Sequence, residues 1–182
     1  MFYTAGKYDL YLKNVVISMI LTFLFIGSLR AQDVDYRAQS LYIYKFSKYI
    51  YWPDKTLNSE FKIGVYGNSE IITELKLMAS LKKGPNGLNI TITEISEEDD
   101  LSEYNILYVP SSKSRQIRTL SEQLGNAPVL LVAEREGLAS KGASISFVVT
   151  DNMVLKFEVN MSKLKEHDLE ISEELLKLGY EI

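Results

Sequence analysis

Cysteine is missing altogether from this chain of 182 residues. That removes disulfides, thiolate nucleophiles and Cys-ligated zinc together, and with them a lipid anchor attached through cysteine. Export is not excluded by it, because a domain of this size can hold together by core burial alone. Histidine is nearly missing too. His167 stands alone between Glu166 and Asp168, with no accompanying triad or multi-histidine set. The reading is a solvent-facing His167, no catalytic residue, no metal and no cofactor. No concentrated basic run exists to neutralise phosphates, which argues against a nucleic-acid partner. A P-loop is absent, and Gly64-Val-Tyr-Gly67 is not a dinucleotide fingerprint.

What is present begins with a leader. Lys7 and Lys13 precede an apolar run from Val15 to Leu29, and Arg30-Ala31-Gln32 follows. A basic start, an apolar core of about 15 residues and a small residue at its end match a secretory signal, with cleavage expected between Ala31 and Gln32. The run is shorter than the roughly 20 residues that span a bilayer, so no stable membrane insertion is expected after the signal is removed. Residues 1–31 are read as a signal peptide and 32–182 as one domain. That domain keeps 17 basic and 23 acidic side chains.

Residues 34–52 carry Ala38, Leu41, Tyr42, Phe46, Tyr49 and Ile50 at helical spacing, and Pro53 stops the helix. A strand over Phe61–Tyr66 ends at Gly67-Asn68, and Ser69 is expected to cap a helix running to about Lys83. Leu88–Ile95, Tyr104–Val109 and Pro128–Ala133 read as further strands, with a helix of about 113–124 between the last two. Ala143–Thr150 and Met153–Val159 then alternate around Asp151-Asn152, a two-residue hairpin signal. The end, about 161–179, reads as helix with a break near His167-Asp168. Strands and helices alternating at this spacing predict an α/β fold. A mostly parallel sheet carries helices on both faces, in Rossmann-like or flavodoxin-like order, with a C-terminal antiparallel hairpin and helix.

Several patterns fit a chemistry loosely. Ser80-Leu-Lys-Lys83 and Ser162-Lys-Leu-Lys165 have the serine–lysine spacing of penicillin-binding enzymes but lack the companion motifs, so chance explains them better. Glu97-Glu-Asp-Asp100 lacks the alternating ligands and glycine of a calcium loop and reads as a solvated acidic turn. Gly67-Asn68-Ser69 and Pro110-Ser111-Ser112 both follow strands and precede helices. If those strands are neighbours, the loops flank the switch point where such sheets bind ligands. Free N–H groups would face an anion there, with Lys113 and Arg115 nearby; simple capping is the plainer alternative. On the hairpin, Phe157 and Val159 should face the core and Glu158 the opposite side. A carboxylate at Glu158 beside an exposed Leu164 would suit a protein partner, whereas Leu164 in the core would not.

Five blocks in order resemble the YfiR/HmsC-like family of bacterial periplasmic proteins. They are Ala38–Pro53 with its terminal Trp-Pro, Phe61–Gly67, Pro128–Val132 with a loop ending at Lys141-Gly142, Val154–Asn160, and Leu169–Leu178. The resemblance implies a periplasmic, non-enzymatic regulator that binds a membrane signalling protein. In well-understood members this is a diguanylate cyclase, whose cyclic di-GMP output and biofilm formation are held down. It leaves open a sensor kinase as partner, a small-molecule sensor domain, and a homodimer. Relatives use cysteine pairs for redox control, and this chain has none to use. N-terminal sequencing of the exported protein is expected to begin at Gln32; an intact leader on cytosolic protein would contradict the reading.

Overall fold

Ile106–Val109 and Leu130–Ala133 contain no charged side chain, and all eight positions are buried. A strand with two apolar faces must be covered on both, which requires helices above and below it. In the computed structural model, which describes residues 34–53, 56, 57 and 59–182, this is what the chain does. The compact unit runs Asp35–Ile182. The expected signal peptide and its cleavage point at Ala31 and Gln32 lie outside the described residues.

In chain order the elements are α1 (Tyr36–Tyr49), β1 (Ile50–Tyr51), β2 (Glu60–Tyr66), α2 (Ile71–Leu81), β3 (Asn89–Ile95), β4 (Ile106–Val109) and α3 (Ile117–Leu124). They continue with β5 (Leu130–Ala133), β6 (Ile145–Val149), β7 (Leu155–Val159), α4 (Met161–Glu166), β8 (Glu170–Ile171), α5 (Glu173–Leu176) and β9 (Tyr180–Glu181). The main sheet is ordered β3-β2-β4-β5-β6-β7-β9, and β1 pairs separately with β8. Strands β3 to β6 are parallel, β7 runs antiparallel to β6, and β9 lies parallel to β7. Counted along the chain, the five parallel strands have the flavodoxin-like order 2-1-3-4-5.

Strand alternation divides the core in two. Ile106, Tyr108, Leu130 and Val132 face a layer with Ile43 and Phe46 of α1, and Ile71, Leu75 and Met78 of α2. Leu107, Val109, Leu131 and Ala133 face Ile117, Leu120 and Leu124 of α3. Phe46 sits with Phe147 and Phe157 at ring-centroid distances of 5.9 and 5.1 Å. Asn105 ties the other end: its side chain accepts from the Lys62 N–H at 2.8 Å, and its carbonyl accepts from the Trp52 indole at 3.3 Å.

Several elements differ from the sequence reading. The buried side of α1 is Gln39, Ser40, Ile43, Phe46 and Ser47, whereas Leu41 and Tyr49 are exposed. Ser40 and Ser47 can be buried because each hydroxyl donates to a carbonyl three residues back, Arg37 and Tyr44. Ser69 does not cap α2 through its side chain; Glu70 holds that position without a side-chain bond. The hairpin loop has three residues, because Thr150 N–H pairs with the Val154 carbonyl and Met153 N–H with that of Thr150. The left-handed residue this loop needs is Met153, at φ +59. The last segment is not one helix: Asp168 at φ +54 turns the chain, and β8 and β9 interrupt it.

His167 is fully buried rather than solvent-facing. Its Nδ1 lies 2.7 Å from the Ala127 carbonyl, so the ring serves as a polar peg between α4 and the lead-in to β5. Helical periodicity breaks just there, which hid its direction. Gly179 is equally constrained, since a Cβ on it would lie 2.5 Å from Phe157 Cε2 and 2.7 Å from the Phe157 carbonyl. Gly179→Ala is expected to destabilise the fold by about 1–3 kcal/mol through overpacking, measured as a lower urea midpoint with an unchanged slope.

Candidate functional site

Strands β2 and β4 are neighbours, and the chain leaves their carboxyl ends in opposite directions. After β2 it passes to α2 on one face; after β4 it passes to α3 on the other. This is the topological switch point, the crevice where open α/β sheets bind ligands. Gly67, Asn68 and Ser69 form one lip, and Ser111 and Ser112 the other. The structure therefore brings together the two loops singled out in the sequence.

Of the two readings of these loops, anion binding and simple capping, the Ser111 N–H follows neither, because a side chain of the fold itself takes it. Glu134, directly after β5, is 8% exposed. Its backbone N–H continues the ladder to the Val109 carbonyl, and its Oε2 accepts from the Ser111 N–H at 2.8 Å. An internal carboxylate thus already holds the donor that an anion would use. The phenol of Tyr36 lies 3.4 Å from Glu134 Oε1. Behind it the Tyr108 hydroxyl donates to Gln39 Oε1 at 2.7 Å. Burial, followed by the charge of Glu134, pushes both phenols above their ordinary pKa, Tyr108 strongly. Glu134 was missed in the sequence because a glutamate beside Arg135 and Glu136 looks like surface; only its position one residue past an apolar strand could have marked it.

On the other side of the Gly67 lip lies a cleft of about 520 Å³ at the carboxyl ends of β2 and β3. Tyr66, Gly67 and Lys113 line it together with Glu94, Glu97, Glu98 and Asp99. Asp99 also folds its own turn, accepting from the Ser96 N–H at 2.7 Å. Burial, then the charge of Glu97, raises the Tyr66 phenol above its usual value.

The proposed partner residues on the hairpin are placed differently. Phe157 and Val159 are in the core as expected, but so is Leu164, 1% exposed. Glu158 is occupied within the fold, its Oε2 accepting from the Ser146 hydroxyl at 2.6 Å and the Gly137 N–H at 3.1 Å. These two side chains do not form an exposed patch, since Leu164 is the buried residue of α4 and faces the core, while the Glu158 carboxylate bridges to the loop after β5. Exposed apolar side chains occur at the hairpin tip, Val149, Met153 and Val154, and also elsewhere, as at Leu77 and Leu81 of α2 and Leu41, Tyr49 and Tyr51 at the first helix and strand.

Comparison with known families matches the YfiR/HmsC-like family model over residues 36–180. The chain belongs to the YfiR/HmsC-like family. No curated protein matches the sequence. Among solved structures, a similar fold is found in the ABC domain from Streptococcus pneumonia solved in complex with L-Trp, with TM-score 0.50 and 13% identity. The match covers 67% of this chain and 54% of that one, so this chain corresponds to about half of the neighbour's length. At that identity the likeness is one of fold. The YfiR/HmsC-like family supports, at family level, a periplasmic regulator of the cyclic di-GMP signalling kind.

The buried Tyr108–Gln39 pair gives a pH signature. Tyr108→Phe leaves the Gln39 acceptor without its donor and is expected to cost about 1–2 kcal/mol. In the wild type a phenol held protonated in the fold contributes stability that is present below its unfolded value of about 10 and is lost as pH rises above it. Urea unfolding between pH 9 and 11 is expected to show a steeper loss for wild type than for Tyr108→Phe.

Proposed function

We propose that the exported domain binds the periplasmic part of an inner-membrane diguanylate cyclase and holds its output down, restraining cyclic di-GMP and biofilm. The observation that carries this reading is the family match across residues 36–180, nearly all of the described domain. The hairpin tip supports it as a docking surface. Val149, Met153 and Val154 expose apolar side chains to water, which costs solubility unless a partner covers them. Met153 also holds a left-handed backbone that glycine would adopt without strain. A bulky thioether kept at such a position argues for a role outside the fold, and thioethers adapt well to apolar pockets.

A second reading is a small-molecule sensor with its ligand at Gly67, Asn68, Ser69, Ser111 and Ser112, acting through a sensor kinase or another membrane receptor. The switch-point crevice favours it, and the fold neighbour was solved with L-Trp bound. The two readings are compatible, with a ligand tuning the protein contact.

Met153 separates folding from binding. Met153→Gly is expected to stabilise the isolated domain by up to about 1 kcal/mol by relieving the left-handed strain, while weakening cyclase capture and raising cyclic di-GMP in cells. Met153→Asp with Val154→Asp should abolish capture, and deleting the gene should raise cyclic di-GMP. Unchanged cyclic di-GMP in all three strains would remove the cyclase reading.

A further inference from the structure

The cleft beside Gly67 already contains an ammonium group. Lys113 Nζ lies 5.9 Å from the centroid of the Tyr66 ring, within reach of a cation–π attraction. Gly67 makes room for it: a Cβ there would approach Lys113 Cε to 3.0 Å. Around this ring stand Glu94, Glu97, Glu98 and Asp99, four carboxylates against one lysine. The ion pairs among the described residues join Lys62 to Glu103 and Lys163 to Glu166. Lys113 is in neither, so it rests on the aromatic face and in the field of the carboxylates, with no direct salt bridge to hold it.

Four acidic side chains on a turn would not by themselves make a site. Here they surround an aromatic floor, in about 520 Å³ at the edge of the switch point, with a cation in place. The sign of the charge follows from the lining, which carries four carboxylates and one ammonium. A flexible lysine is a weak incumbent, because moving it away regains side-chain entropy.

We propose that this cleft binds a small organic cation bearing a primary ammonium, which displaces Lys113 from the Tyr66 ring. The inference rests on the sensor reading, moves its ligand to the cleft that shares Gly67 with those loops, and specifies the ligand's chemical class. Displacement frees Lys113 beside Ser111 and Ser112, coupling the cleft to the other lip of the crevice.

The test compares cadaverine with glutarate, five-carbon chains of opposite charge, on the mature domain by thermal shift. Cadaverine at about ten times its Kd should raise Tm by roughly 3 °C, and glutarate should not. Exposed Glu97→Gln should reduce the shift without affecting folding. Tyr66→Leu should abolish it at unchanged charge, each variant being read against its own ligand-free Tm. Lys113→Met should enlarge it by removing the resident competitor. Absence of a cadaverine shift, an equal shift with glutarate, or a Lys113→Met shift no larger than wild type overturns the proposal. Should Tyr66→Leu not fold, Glu97→Gln and Lys113→Met decide. A glutarate shift alone would keep a sensor while reversing the ligand's sign, and cyclase capture by the hairpin tip is unaffected by any of these outcomes.

Discussion

The seating of Phe46 against Phe147 and Phe157 is the contact on which the rest of the structure depends. It joins the first helix to the antiparallel pair β6–β7, elements about a hundred residues apart. Burying that ring contributes about 1.5–3 kcal/mol, and it fixes which side of α1 turns inward. With Phe46 inside, Gln39 points at Tyr108 and Tyr36 at Glu134. One apolar contact therefore places a whole line of polar ones at the far end of the helix.

That line of polar groups closes one side of the switch point. Doubly wound sheets leave donors free at this crevice, and here the chain satisfies one of them, the Ser111 N–H, with its own carboxylate. The other side remains open and acidic. The proposed docking surface and the proposed ligand cleft are on different parts of this domain. The hairpin tip belongs to β6 and β7, and the cleft to β2 and β3.

With no cysteine to cross-link it, this chain closes its C-terminal segment with non-covalent pegs. His167 reaches the Ala127 carbonyl, Asn160 reaches that of Ala139, and Gly179 lets β9 press onto Phe157. Each peg holds one short element to the sheet, and none closes a loop in the unfolded chain as a disulfide does.

Sequence alone determined the alternation of strands and helices, the parallel sheet with its antiparallel addition, and the two loops at the switch point. Those features are local: apolar runs, glycine and serine at strand ends, and alternation need no partner to be legible. Tertiary structure alone decided which way side chains point. His167 and Leu164 went inside, Leu41 came out, and Glu158 was engaged by Ser146, because each depends on what another element brings opposite it. The sign of the crevice was likewise invisible. Glu134 is 23 positions from Ser111 and Tyr66 lies far before Lys113, and only the sheet register sets Glu134 against the Ser111 N–H while Lys113 lies over Tyr66.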